Sequence, residues 1–132
     1  MVLDEADAPQ DGWDDAVRGR IRWRTLFSKG GTPTDGITCG VAELGPGDWL
    51  GLHRHAPPEI LYVLAGTGIV TLAGEETPVK AGSAVFVPGM AEHGSARRER
   101  TSCASSTATP SIRGRTSNIS SPPRSPLLMT GA

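Results

Sequence analysis

The chain's three histidines fall in two short segments, and the first of them dictates a local path for the backbone. His53-Arg54-His55 is followed at once by Ala56-Pro57-Pro58-Glu59. Residues two apart in an extended strand project from one face, so His53 and His55 aim two imidazoles at one point. Two consecutive prolines cannot continue a ladder, so the strand stops there and Glu59 opens a returning strand close to the rings. His93, after Pro88-Gly89, has to come back in space to complete the set. Three imidazole nitrogens and a carboxylate oxygen suit one divalent transition metal, and Fe, Mn, Ni and Zn all accept such donors. His53, His55, Glu59 and His93 are the candidate ligands.

The surrounding chain reads as short strands cut by Gly and Pro turns. Ile21, Trp23 and Thr25 alternate with Arg22, Arg24 and Leu26, the pattern of a half-buried strand. The run from Lys29 to Gly36 has loop chemistry throughout. Ile37 to Leu44 is a second strand, and Gly45-Pro46-Gly47-Asp48 a tight turn. Trp49 leads the strand that carries His53 and His55 and is expected to share their face. Glu59 to Leu64, Ile69 to Leu72 and Ala84 to Val87 are further strands, with a hairpin signal at Ala73-Gly74-Glu75-Glu76. No helical periodicity appears between residues 20 and 96. The pattern predicts an all-β barrel or sandwich.

From Gly47, the residues His53, His55, Glu59 and Gly66 stand at the separations of the first signature motif of the cupin family, which this stretch resembles. Gly82, Pro88 and His93 fit the second motif, although Gly89 follows Pro88 directly and residue 97 is Arg where the family pattern has Asn. The resemblance spans about residues 36 to 96. It implies a small jelly-roll (double-stranded β-helix) barrel with a metal at its mouth. It also implies a metal-dependent enzyme acting on a small organic molecule by lyase, isomerase or dioxygenase chemistry. The alternative is a metal- or ligand-binding cupin without turnover. The cupin lyases that cleave dimethylsulfoniopropionate are similar in size and motif but carry a catalytic Tyr two residues after the Glu. Here that position is Leu61, which weakly disfavours their chemistry without excluding it, so such a lyase stands as a further alternative.

Outside residues 20–96 the composition changes. Residues 1–19 are acidic (Asp4, Glu5, Asp7, Asp11, Asp14, Asp15) and read as a disordered lead-in, with Trp13 and Val17 docking on the barrel. Residues 97–132 form a tail rich in Ser, Thr, Pro and Arg, without aromatic residues. Such a tail does not supply the apolar alternation that closing strands need, so these strands read as missing or replaced. Taken at face value it is a natural disordered tail; a shifted reading frame is the other account of the break. Taking the third base of each codon with the first two of the next, and Ser as TCN, Thr101-Ser102, Ala104-Ser105 and Ser105-Ser106 each become Phe, Leu, Ile or Val. Ser106-Thr107 and Ala108-Thr109 then admit Tyr. On that reading the polypeptide is an impaired version of its parent.

A formal net charge of -1 argues against a nucleic-acid or anionic-membrane partner. The acidic N-terminus, with no long apolar run behind it, reads as cytoplasmic. Cys39 reads as a reduced apolar strand residue rather than a partner of Cys103. Tyr62 and Glu92 are the candidate acid/base groups. Strand parity sets Tyr62 opposite Glu59, against a second sheet or a partner subunit, and Glu92 reads as a rim charge. Arg54 points away from the ligands. Trp49, Leu61, Val63 and Phe86 are expected to shape the pocket for a small-molecule substrate, and a completed barrel is expected to form a homodimer.

Overall fold

The computed structural model describes residues 1–28 and 30–98, together with the backbone of 125–131. Among the described residues, ten strands form one sheet: β1 (Gln10–Asp15), β2 (Gly19–Phe27), β3 (Thr38–Leu44), β4 (Trp49–His53), β5 (Glu59–Val63), β6 (Thr67–Leu72), β7 (Glu75–Lys80), β8 (Ala84–Val87), β9 (His93–Ala96) and β10 (Ser125–Gly131). The order is β7-β6-β9-β4-β2-β3-β10-β5-β8, with β1 pairing β2. Ile21, Ala42 and Leu44 share one buried cluster with Leu61, Val63, Val70, Val79 and Val87. Val79 and Val87 belong to strands at opposite ends of the order, so the sheet rolls up around its apolar face. This is the expected all-β barrel.

Alternation decides which side chains enter. In β5, Glu59, Leu61 and Val63 are buried while Ile60 and Tyr62 are exposed, the two-residue period of a strand with one face on a core. Ile60 pairs with Phe86 across β5 and β8, and Glu59 pairs with Val87. Val87 is fully buried and Phe86 is 62% exposed. Phe86 therefore lies on the outer face, which corrects the expectation that it lines a pocket. The β6–β7 hairpin turns on Ala73 and Gly74, both at positive φ (49° and 83°). That pair gives the turn whose twist matches the flanking strands.

Three segments differ from the sequence expectation. Gln10–Asp15 pairs antiparallel with β2 from Gln10↔Arg24 to Asp15↔Gly19, where a disordered lead-in was expected. Pairing satisfies backbone groups that an acidic composition does not reveal. Trp13 is half-buried against the core as expected, but Val17 is 81% exposed in the turn and does not dock. His93–Ala96 is a strand between β4 and β6, built of His, Gly, Ser and Ala, and too small in side chain to register as apolar alternation.

Ser125–Gly131 inserts between β3 and β5, with Leu127↔Ala42 on one side and Leu127↔Val63 on the other. Strands do close the barrel here, and residues 125–131 as they stand supply one of them. The shifted-frame reading and Cys103 fall on residues outside those described.

The β1–β2 turn is pinned by Asp15, whose carboxylate accepts from the Val17 and Arg18 amides (2.9 and 2.7 Å) and from Arg18 Nε (2.6 Å). The Arg18 backbone amide, then its side chain, then the Val17 amide lower the Asp15 pKa to about 2. A depressed carboxyl pKa contributes stability that is present above the unfolded value and disappears as pH falls through the folded one. A carboxyl titration followed by NMR should place the Asp15 midpoint near 2, and Asp15→Asn should remove the corresponding acid-limb dependence of stability. A midpoint near that of an ordinary aspartate would mean that the turn is not formed. For β10, hydrogen exchange should show slow amides between Leu127 and Gly131, because both flanking strands cover them. Exchange at free-peptide rates would remove β10 from the sheet.

Candidate metal centre

The site forms where β4 meets β9. His53 is the last residue of β4 and stands directly across from His93, the first of β9. On the other side of β9, His93 pairs with Leu72 of β6. His55 lies in the segment between β4 and β5, where its carbonyl accepts the Met90 amide at 2.7 Å. That bond ties the segment to the loop before His93. Glu59 opens β5 with its side chain inward. The ring centroids lie 4.2 Å apart for His53–His93, 4.9 Å for His55–His93 and 5.6 Å for His53–His55.

Each ring is oriented by the same device. Nδ1–H of His53 donates to the Gly51 carbonyl (2.8 Å), that of His55 to Pro57 (2.8 Å), and that of His93 to Ala91 (2.9 Å). A carbonyl only accepts, so the proton of each neutral ring sits on Nδ1 and Nε2 keeps its lone pair. One ligating atom from each histidine lies within 4.8 Å of those of the other two. Glu59 Oε2 lies 3.1 Å from His55 Nε2 and 3.0 Å from His93 Nε2. Two ring lone pairs facing a carboxylate oxygen at that distance require positive charge among them. Either the rings are protonated and donate to Glu59, or a cation sits among the donors. Burial pushes His53 below the ordinary imidazole pKa, against the opposing effect of its bond to Gly51. Such a ring favours the neutral form that ligates. The donor set and its second-layer carbonyls thus fit a divalent transition metal.

The four sequence candidates therefore converge, with Glu59 in contact with two of the rings. Tyr62 is on the outer face, 42% exposed, as parity expected. Glu92 forms an ion pair with Arg54 (Nη2 to Oε2, 3.1 Å), both partly exposed at the rim. Leu61 is buried in the core, so no phenol occupies the position two after Glu59.

Beside the rings is a cavity of about 420 Å³, bounded by Trp13, Trp23, Cys39, Leu50, His53, His55 and Glu59 among others. Trp49, Leu61, Val63 and Phe86 do not line it, contrary to expectation. The pairing of β4 with β9 slips by one residue between Leu50 and His53, a β-bulge. The extra residue resets strand parity, so Leu50 rather than Trp49 shares the side of His53. Cys39 is a free thiol whose pKa burial raises. The Trp13 and Trp23 walls escaped the sequence analysis because they depend on β1 folding back on β2.

Residues 40–104 match the family model described as a cupin domain. The chain is 42% identical over 93 residues to the dimethylsulfoniopropionate lyase of Ruegeria pomeroyi, covering 70% of this chain and 61% of that one. It is 31% identical over 77 residues to the oxalate-binding protein of Thermotoga maritima, covering 58% of this chain and 64% of that one. The chain thus spans less than two thirds of the length of these curated relatives. A Thermotoga maritima structure described as a predicted oxalate decarboxylase superposes with a TM-score of 0.71 at 20% identity, over 99% of this chain and 97% of that chain.

Replacing both His53 and His55 by Ala should lower bound divalent metal by at least about tenfold, because each lost ligand also frees its neighbours. Elemental analysis of the purified double variant measures this directly. Unchanged stoichiometric metal would refute the assignment of these ligands.

Proposed function

We propose, from the premise that this chain belongs to the cupin superfamily, that it holds one divalent transition metal on His53, His55, His93 and Glu59 and acts on a small organic carboxylate. The observation that carries this reading is the gathering of three imidazoles, each fixed by an Nδ1–H bond to a backbone carbonyl, with the Nε2 atoms of His55 and His93 on the Glu59 carboxylate. A carboxylate oxygen about 3 Å from two ring nitrogens calls for positive charge between them, which a bound cation supplies. A metal there would supply Lewis acidity toward a bound carboxylate. The chain's own contribution is to orient the rings and to offer a largely apolar cavity on the ligand side. Both curated relatives are named for carboxylates, dimethylsulfoniopropionate and oxalate, which supports the substrate class.

Lyase chemistry at this site requires a base to take a proton from the substrate. Leu61 stands where the related lyases carry Tyr, and Tyr62 faces outward. Among the described residues, the titratable groups lining the cavity are Cys39, His53, His55 and Glu59. Burial keeps the Cys39 thiol protonated at neutral pH, so it is no base. This shortage favours a second reading, in which the barrel binds its carboxylate without turnover.

One experiment addresses both readings. The full chain is loaded with Fe(II), Mn(II), Ni(II) or Zn(II), its metal is counted per chain, and dimethylsulfoniopropionate and oxalate are titrated by calorimetry while headspace dimethyl sulfide is followed. About one metal per chain and carboxylate binding that chelation abolishes are the expected results. Sulfide release marks the lyase, and binding without release marks the non-catalytic reading. Carboxylate binding that survives complete chelation would overturn the proposal.

A further inference from the structure

Resting on the metal reading above, we infer that Met90 is a positioning residue for His55, acting through the orientation of the Gly89–Met90 peptide. His53 and His93 face each other across the β4–β9 pairing, whereas His55 lies beyond the end of β4 and belongs to no strand. Its side chain is also the more open, 37% exposed against 2% for His93. Among the described residues, one backbone bond outside the strands reaches residues 54–58, from the Met90 amide to the His55 carbonyl at 2.7 Å. The His55 ring bonds within its own segment, to the Pro57 carbonyl, so the ring goes where that segment goes. The Met90 amide is therefore the backbone tie between His55 and the loop leading into His93.

The turn that supplies this amide is strained at one residue. The Ala91 amide donates to the Pro88 carbonyl at 3.1 Å, which closes a β-turn with Gly89 and Met90 at its centre. Met90 has φ 65°, whereas Gly89 is not among the left-handed glycines. That is the arrangement of a type II turn, whose third residue is preferentially glycine. The glycine stands one place earlier because the packing needs it there: a Cβ on Gly89 would collide with the Ala56 carbonyl. Met90 thus takes the left-handed position with a side chain that is 55% exposed, so little packing offsets the strain. The N–H that holds His55 belongs to the central peptide of this turn. Turning that peptide over returns Met90 to negative φ, converts type II into type I, and points the N–H away from His55. Holding His55 and straining Met90 are one state of one peptide. A residue at ease with positive φ favours that state, and a β-branched residue favours the other.

The test is a series at position 90 in the full chain, Met90→Gly, Met90→Asn and Met90→Val. Zn(II) affinity is measured by competition with a chromogenic chelator, and circular dichroism checks that each variant is folded. Glycine and asparagine tolerate positive φ, and valine does not. The first two variants should bind Zn(II) about fivefold more tightly than the parent and the third about fivefold more weakly, a scale set by the cost of a left-handed residue. All three lack the thioether, so changes of opposite sign cannot come from its loss. In a His55→Ala background the Met90→Gly gain should vanish, because the side chain it acts through is gone. Hydrogen exchange of the metal-free chain reads the same turn without metal. Protection of the amide at position 90, corrected for sequence effects, should rise in Met90→Gly and fall in Met90→Val. Equal affinities across the series, a shift of one sign in all three, or a glycine gain that persists with His55→Ala overturns the positioning role and leaves the metal reading standing. Absence of Zn(II) binding by the parent chain overturns the metal reading, and exchange protection that then fails to follow the series overturns the hold on His55 as well.

Discussion

The pairing of β4 with β9 is the constraint on which the site depends. It sets His53 directly opposite His93 in the middle of a hydrogen-bonded sheet, so the two rings have little freedom to move apart. A one-residue bulge just before that pair directs Leu50 and His53 to the same side. Gly94 sits across from the bulge, where a Cβ would press on the Leu50 carbonyl and the Leu52 side chain. A larger residue there would push β4 and β9 apart, so the small residues of β9 are part of how the rings are brought together.

Enclosing three imidazoles and a carboxylate in a barrel end costs desolvation, and the structure offsets it locally. Every Nδ1–H finds a carbonyl within its own segment, and the carboxylate finds two ring nitrogens. No buried side-chain polar atom among the described residues lacks a partner. Order at the rings thus comes from the backbone turns around them, with the exposed Arg54–Glu92 pair adding little, as exposed pairs do.

The cavity owes its other wall to a hairpin packed against β4. Gly19, at φ 102°, and Gly51 sit where any Cβ would collide with the Trp49 and Val17 carbonyls, and the Gly51 amide donates to Arg18 at 2.8 Å. That close approach holds β1 and β2 beside β4 and carries Trp13 and Trp23 to the cavity. The ring cluster and the aromatic walls of the cavity are therefore built by different parts of the chain: the rings come from β4, the segment after it and β9, and the aromatic walls come from β1 and β2.

The clustering of His53, His55 and Glu59 was legible in the sequence because it rests on short-range rules, although β4 ends at His53 and His55 joins the cluster from the segment that follows. His53 and His55 sit two apart, a proline pair ends their segment, and strand parity turns Glu59 inward and Tyr62 outward. Those rules act over a few residues and need no partner strand. The cavity walls were not legible, because each depends on a neighbour distant in the chain. Phe86 faces outward because its cross-strand partner is Ile60, Trp49 yields to Leu50 because β9 imposes a bulge, and Trp13 is ordered because β2 supplies its hydrogen bonds. The strands His93–Ala96 and Ser125–Gly131 were missed for the same reason. Their own side chains carry no alternating apolar signal, and only the open hydrogen-bonding positions of β4, β6, β3 and β5 make strands of them. The sequence by itself determined which atoms can hold a metal, and the tertiary pairing decided what faces it.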